Sequence, residues 1–312
     1  MSYRLGVDVG GTFTDLLLIN EQSGETYTAK VPSTPEDSSI GVLNGVERIC
    51  SESGVDPQEV RRVMHGTTVA TNAVLTARGA RVGLVTTKGY KHTLQVARSF
   101  CPGGLGGWVS YVKKPLLAPL ELTVEADERV AADGSIVSPL DEAGLRIELG
   151  KLKDTGQVQA LTICFINAYV NGVHEAQARD IAQEIFGDVP ISISSEVVPE
   201  MQEYERTETT VVNSYVRPEV SKYITNLQAS LEQKMADELQ LSILRSDGGL
   251  ASSRAAAESP VNLLLSGPAG GVTGAIYFAN RAGYDDVLTF DMGGTSTDVA
   301  LIQGARARVR RE

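Results

Sequence analysis

Two eight-residue stretches, DVGGTFTD at residues 8–15 and DMGGTSTD at residues 291–298, agree at six positions. Each places an aspartate after an apolar run, then two glycines, hydroxyl residues and a second aspartate. Around a phosphate this pattern makes chemical sense. Glycines permit positive φ and close backbone approach. Amides and hydroxyls donate to anionic oxygens, each charge-assisted bond being worth about 1.5–3 kcal/mol. A carboxylate repels phosphate directly, but it holds Mg²⁺ through the metal's retained waters or orients an attacking group. Two such loops facing one another would grip a triphosphate from both sides. The alternative is a duplicated hairpin with no ligand.

The elements carrying these loops are legible. RLGVDV (4–9) and DLLLI (15–19) are β-rich runs joined by a Gly/Thr turn, and DVLTF and VALI flank the second copy in the same way. Both read as strand–turn–strand hairpins. A Rossmann or Walker loop instead enters a helix, and no GK[ST] is present. Between the hairpins, helical spacing spans 39–54 and 172–187, and buried-strand runs span 80–87, 158–166 and 189–196. Strand, helix and strand in succession imply parallel α/β pairing. A helical run at 199–216 is expected to break or kink at Pro218 and resume to 235, followed by a strand over 241–250 that ends in a turn.

With 312 residues the chain is long enough for about two domains. A net charge of −11, from 28 Lys+Arg against 39 Asp+Glu, argues against nucleic-acid or anionic-membrane binding. An anionic ligand must therefore be held by local amides and a metal. The three cysteines, Cys50, Cys101 and Cys164, form no CxxC pair and suggest reduced thiols. No apolar run reaches 18 residues and no signal core opens the chain, so a cytoplasmic protein with no membrane association is expected.

The paired hairpins resemble those of the actin/Hsp70/sugar-kinase superfold, one from each half of the molecule. A narrower resemblance is carried by DVGGTFTD, HGTTVATNAVL (65–75), TTKGY (86–90), SSEVVPEMQEYERTETTVVNSYVRP (194–218), SDGG (246–249), SGPAGGV (266–272) and DMGGTSTDVAL, in that order. Together they resemble the hydantoinase A / 5-oxoprolinase family, whose relatives include ATP-dependent acetone and acetophenone carboxylases. The resemblance implies an α/β, ribonuclease H-like fold with an incomplete second half, divided at 1–190 and 191–312. It also implies ATP and Mg²⁺ as cofactors. The expected activity is ATP-dependent phosphorylation of a lactam or hydantoin carbonyl, which activates ring opening, with a hydantoinase B-like second subunit as partner. Two alternatives stand: a carboxylase subunit acting on a ketone, and a non-catalytic scaffold. Because that superfold builds its adenine pocket after the second loop, the chain is expected to hold both phosphate hairpins without an adenosine site, as a fragment or a short subunit.

Carried over by position, Asp8, Gly10, Gly11, Thr12 and Thr14 form the first phosphate loop, and Asp291, Gly293, Gly294, Thr295 and Thr297 the second. Asp8 and Asp291 are the expected Mg²⁺ contacts. Asp15 and Asp298 stabilise their own hairpins or join the site. His65 donates to a transferring group or an oxyanion, with Thr67 and Thr68 beside it; otherwise it is a histidine satisfied under a helix. Glu203, Glu205 and Arg206 line the cleft, or Glu203 and Arg206 pair at i, i+3. His92 and His174 have weaker claims, His174 as a solvated residue. The glycine-rich loop from Cys101 to Trp108 offers the apolar face of Trp108 to substrate, or is a wide turn with Trp108 packed beneath it.

Overall fold

The computed structural model describes residues 2–34, 38–99, 104, 106–107, 112–236, 238–292 and 297–307. In chain order the strands are β1 (Tyr3–Val9), β2 (Phe13–Asn20), β3 (Thr26–Pro32), β4 (Val60–Thr67), β5 (Val82–Thr87), β6 (Thr123–Ala126), β7 (Arg129–Val130), β8 (Ile136–Ser138), β9 (Ala160–Cys164), β10 (Ile191–Ile193), β11 (Gln240–Leu244), β12 (Leu250–Ser252), β13 (Val287–Met292), β14 (Thr297–Gln303) and β15 (Arg306–Ala307). The longer helices are α1 (Ser38–Ser53), α2 (Val69–Leu75), α3 (Glu142–Asp154), α4 (Val173–Phe186), α5 (Glu203–Glu232) and α6 (Ser266–Ala282). Two compact units result, one of residues 1–76 and 220–312, the other of residues 77–219.

The first unit is built on a six-stranded sheet in the order β12-β11-β4-β1-β2-β3. β1, β2 and β3 form an antiparallel meander, while β4 joins β1, and β11 joins β4, in parallel. Period-2 alternation sorts the meander's side chains between two faces. Leu5, Val7, Val9, Leu16 and Leu18 are buried on one, whereas Asp8, Asp15 and Leu17 are exposed on the other. Helix α1 covers the buried face, and its Gly45 has a reason to be glycine: an added Cβ would come within 2.3 Å of Leu16 Cδ1. The second hairpin, β13-β14, pairs antiparallel, and β15 extends it.

The second unit holds a four-stranded parallel sheet in the order β10-β9-β5-β6. Its core gathers Val85, Leu122, Leu149, Leu161, Ile163, Phe165, Ala178 and Ile181. The parallel α/β reading of this stretch holds.

Three local expectations fail. Helix α5 is continuous through Pro218. Proline there removes one intrahelical hydrogen bond, and the apolar contacts of Val211, Val216, Val220 and Ile224, all buried, carry the helix across. The strand expected to 196 stops at Ile193 and turns into a short helix over Ser194–Val197. His174 is buried, with Nδ1 2.8 Å from Glu128 Oε2. A polar helix start suggested solvent, and the buried carboxylate partner was invisible in the local sequence.

Candidate functional site

Antiparallel pairing puts Asp8 directly opposite Asp15, and parallel pairing puts Gly66 directly opposite Asp8 on its other side. Lys30 lies opposite Asp15 on β3. Gly66, Asp8, Asp15 and Lys30 thus form one row across four neighbouring strands, and all four line a cleft of about 770 Å³. The remaining walls include Leu17, Met64, Leu244 and Leu250, with Gly267, Gly270 and Gly271 from helix α6. Gly66 keeps the space beside Asp8 open, because a Cβ there would sit 3.2 Å from Asp8 Oδ1.

The second hairpin repeats the pairing, with Asp291 opposite Asp298. Both line a neighbouring cleft of about 520 Å³ together with Pro268, Gly271, Val272 and Ala275 of α6. Gly271 therefore borders both clefts. The two hairpins also sense one another electrostatically. Asp8 reaches solvent, yet the protein packed around it pushes its carboxyl above the usual carboxylate range. The Asp15 and then the Asp291 carboxylates push it further, against the pull of Lys30.

The tight turn of the first hairpin is closed by a Gly10 N–H donating to Phe13 O at 3.0 Å, and Ser33 Oγ donates to Gly10 O at 2.8 Å. Neither Gly10 nor Gly11 has a positive φ. Gly10 is instead favoured by space, since a Cβ would lie 3.1 Å from Phe13 O. Gly11 and Thr12 are exposed at the tip, where backbone and hydroxyl donors are open to a ligand. Thr14 is not: it is fully buried, with its hydroxyl 3.0 Å from Ser33 Oγ. In the second loop Thr297 is exposed, while Gly293, Gly294 and Thr295 lie outside the described residues.

The HGTT run divides between faces in the same way. His65 pairs in register with Val7, on the buried side of the sheet away from Asp8. It is 0% exposed, and its Nε2 lies 2.8 Å from Tyr223 Oη. Its Nδ1 is buried without a hydrogen-bond partner among the described residues. Burial pushes the imidazole down to about 4, so it is neutral at physiological pH. The imidazole is packed against a side chain within helix α5, not satisfied by backbone partners under a helix N-terminus, and it lies on the face away from Asp8. Thr67 Oγ1 accepts from Val69 N at 3.2 Å, and Thr68 Oγ1 donates to Val9 O at 3.2 Å, so both hydroxyls serve the strand-to-helix junction. Both His65 and Gly66 of this run border the cleft, but the residue in register with Asp8 is Gly66, which sequence reasoning passed over. Strand alternation opposite Asp8 was the signal available for it. Lys30 was missed too, since only the β2–β3 pairing brings it to Asp15.

Asp15 lines the cleft and pairs with Lys30 of the neighbouring strand β3, whose Nζ lies 2.7 and 2.8 Å from its two oxygens. In the second unit, Glu203 and Arg206 do approach, at 3.9 Å. Arg206 is however 1% exposed and spends Nη2 on Phe165 O at 2.7 Å. Glu205 pairs with Arg98. His92 Nδ1 meets Gln95 Oε1 at 2.7 Å. Trp108 and Cys101 lie outside the described residues. Cys50 and Cys164 are free and buried.

The donor set fits a hydrated cation better than a caged one. Among the described residues no cluster of three His, Cys, Asp or Glu side chains could enclose a metal. Asp8, crowded by two further carboxylates, is a place where a water-mediated divalent cation would relieve repulsion.

Two aspartate-bearing hairpins in separate sheets, with helix α6 lining the clefts of both, accompany an α/β architecture of the actin/Hsp70-like fold. The structure superposes on nucleotide-free acetone carboxylase with a TM-score of 0.85 at 25% identity, covering 97% of this chain and 44% of that one. It superposes on the ATP-dependent caprolactamase of Pseudomonas jessenii with a TM-score of 0.83 at 36% identity, covering 96% and 43%. The chain belongs to the hydantoinase/oxoprolinase family: that family's N-terminal region matches residues 4–186 and its hydantoinase/oxoprolinase domain residues 206–312. In sequence it is 36% identical to caprolactamase subunit alpha of P. jessenii, over 99% of this chain and 45% of the relative. It is 34% identical to the acetophenone carboxylase gamma subunit of Aromatoleum aromaticum, over 97% and 43%. The chain thus spans less than half the length of these relatives. The family boundary falls between 186 and 206, whereas the compact units divide at 76/77 and 219/220.

Proposed function

We propose that the chain supplies the phosphate-binding hairpins of an ATP-dependent enzyme that opens a cyclic amide. The observation carrying this reading is the proximity of the two duplicated hairpins within one unit: Asp291 raises Asp8, and Gly271 borders both clefts. Asp8 and Asp291 would hold Mg²⁺ through its waters, and the exposed tips at Gly11, Thr12 and Thr297 would donate to phosphate oxygens. ATP, when bound, supplies the phosphoryl group that turns a resonance-stabilised amide oxygen into a leaving group. Water would then add at the activated carbonyl carbon, the C–N bond would break with the ring nitrogen leaving as the amine, and a second water would hydrolyse the resulting acyl phosphate to carboxylate and inorganic phosphate. In this reading Asp15, held by Lys30, shapes the hairpin, and His65 stays neutral beneath the sheet.

The family and the 36% identity to a caprolactamase subunit support a lactam substrate. The likeness to acetone and acetophenone carboxylases supports the second reading, in which a ketone enolate and bicarbonate are activated at the same hairpins. Two of these relatives are named as subunits, which favours a companion polypeptide, and we assign that role to a hydantoinase B-like chain. Exposed Leu288, Phe290, Met292, Val299 and Leu301 on the second hairpin are suited to polypeptide contact. Among the described residues no helix is long and apolar enough to cross a membrane, and we place the enzyme in the cytoplasm.

The test is ATP hydrolysis by the complete enzyme with its companion chain, supplied with caprolactam, 5-oxoproline, hydantoin, or acetophenone plus bicarbonate. Stimulation by a cyclic amide is expected. Stimulation only by the ketone with bicarbonate replaces the hydrolase by the carboxylase reading.

A further inference from the structure

Asp8 and Asp15 lie directly opposite on antiparallel strands, which places their side chains on one face at a spacing where like charges repel. Two carboxylates so placed also offer a divalent cation its preferred oxygen ligands. Lys30 stands in the way. Its ammonium meets both oxygens of Asp15, at 2.7 and 2.8 Å, so a metal at Asp15 must compete with a cation already there. Its Nζ also lies 5.3 Å from the centroid of the Phe13 ring, and Arg48 Nη1 donates to the Lys30 backbone carbonyl at 2.9 Å. Arg48 itself is engaged by Glu52. Asp8, by contrast, has no cation within ion-pair distance among the described residues, and Gly66 leaves the side away from Lys30 open. The second hairpin has the same carboxylate pair, Asp291 and Asp298, and no described cation paired with either.

We propose that Lys30 is a built-in cation that keeps the Asp8–Asp15 pair from taking up a divalent metal alone, so that metal enters the cleft only together with phosphate. A metal bound without phosphate between Asp8 and Asp15 would displace the geometry a metal–nucleotide needs. Lys30 is thus a positioning residue: it acts by occupying Asp15. The inference deepens the reading of this cleft as a metal–phosphate site, but its principal test needs no turnover.

Binding of Mn²⁺ to the full chain, without nucleotide, is followed by electron paramagnetic resonance for the wild type, Lys30→Met, Lys30→Arg and Lys30→Met/Asp15→Asn. Lys30→Met should bind Mn²⁺ at least about tenfold more tightly than the wild type, since a second carboxylate ligand is released. Adding Asp15→Asn should remove the gain, and Lys30→Arg should behave as the wild type. Unchanged Mn²⁺ affinity in Lys30→Met, or a gain that survives Asp15→Asn, overturns the proposal. Lys30→Gln carries the same expectations if the methionine variant does not fold. In the complete enzyme, Lys30→Met should become inhibited by excess Mg²⁺, with Asp15→Asn relieving the inhibition. An enzyme without ATP-dependent activity would refute the function proposed above while leaving the Mn²⁺ result to decide the role of Lys30.

Discussion

The hairpins at residues 8–15 and 291–298 present the same pair of aspartates in the same antiparallel register, in different surroundings. The first lies inside a six-stranded sheet, with Lys30 on one side and Gly66 on the other, and its back is packed on helix α1. The second belongs to a three-stranded sheet in which Leu288, Phe290 and Met292 are exposed. A repeated motif therefore does not mean a repeated environment. In the first hairpin one aspartate is neutralised and the other left open, whereas in the second the described residues neutralise neither. The first is expected to be preset, and the second to be neutralised only by bound ligand.

Crowding the first hairpin alone is the most severe way to test this. Gly66→Val places branched carbon beside Asp8 Oδ1, where even a Cβ would lie at 3.2 Å. A fall in ATP turnover of about a hundredfold, with unaltered thermal unfolding, is expected from displacing a group at the phosphoryl centre. Near-normal turnover would show that Asp8 is not held in its working position by this row.

Acid should weaken the sheet beneath the first hairpin. His65 is fully buried and its imidazole is lowered to about 4 from an ordinary 6.5. Between these values the unfolded chain binds a proton that the folded chain refuses, so stability rises with pH across the window and is lost as pH falls from 6.5 toward 4. The full effect is about 3 kcal/mol. Denaturant unfolding as a function of pH checks it: His65→Phe should flatten the profile in this window, and an unchanged slope would assign the acid sensitivity elsewhere. At neutral pH the variant's nucleotide affinity should match the wild type.

A smaller effect separates two threonines at matching motif positions. Thr14 is buried against Ser33, whereas Thr297 is exposed. Thr14→Val should cost about 1 kcal/mol of stability, the net worth of one hydrogen bond, and leave phosphate affinity intact. Thr297→Val should do the reverse, leaving stability unchanged and weakening phosphate binding. Equal behaviour of the two in calorimetry and unfolding would erase the distinction between the hairpins.

These contrasts explain what the sequence could convey. Both hairpins, helix α1, helix α4 and the parallel strands of the second unit follow from periodicity and turn residues, which act locally. Face assignment within a motif was harder. HGTT and GGTFTD read as continuous polar patches, but on a strand neighbouring residues point to opposite faces. His65 and Thr14 thus fall on the packed side, and Gly66 and Asp15 on the cleft side. Lys30 and Glu128 act through partners far away in sequence, Asp15 and His174, which only strand pairing and helix packing bring together. Helix α5 crosses Pro218 because buried apolar residues on both sides outweigh one lost backbone bond.

The central claim is that the two hairpins form one metal–phosphate site. Its most direct test is the affinity of the full chain for Mn²⁺·tripolyphosphate, measured by electron paramagnetic resonance for the wild type, Asp8→Asn, Asp291→Asn and the double variant. One shared site predicts that each single substitution weakens binding by about tenfold or more and that the double is little worse than either, because residues acting as a unit are not additive. Independent, multiplying losses, or a single variant that binds as the wild type does, would contradict it.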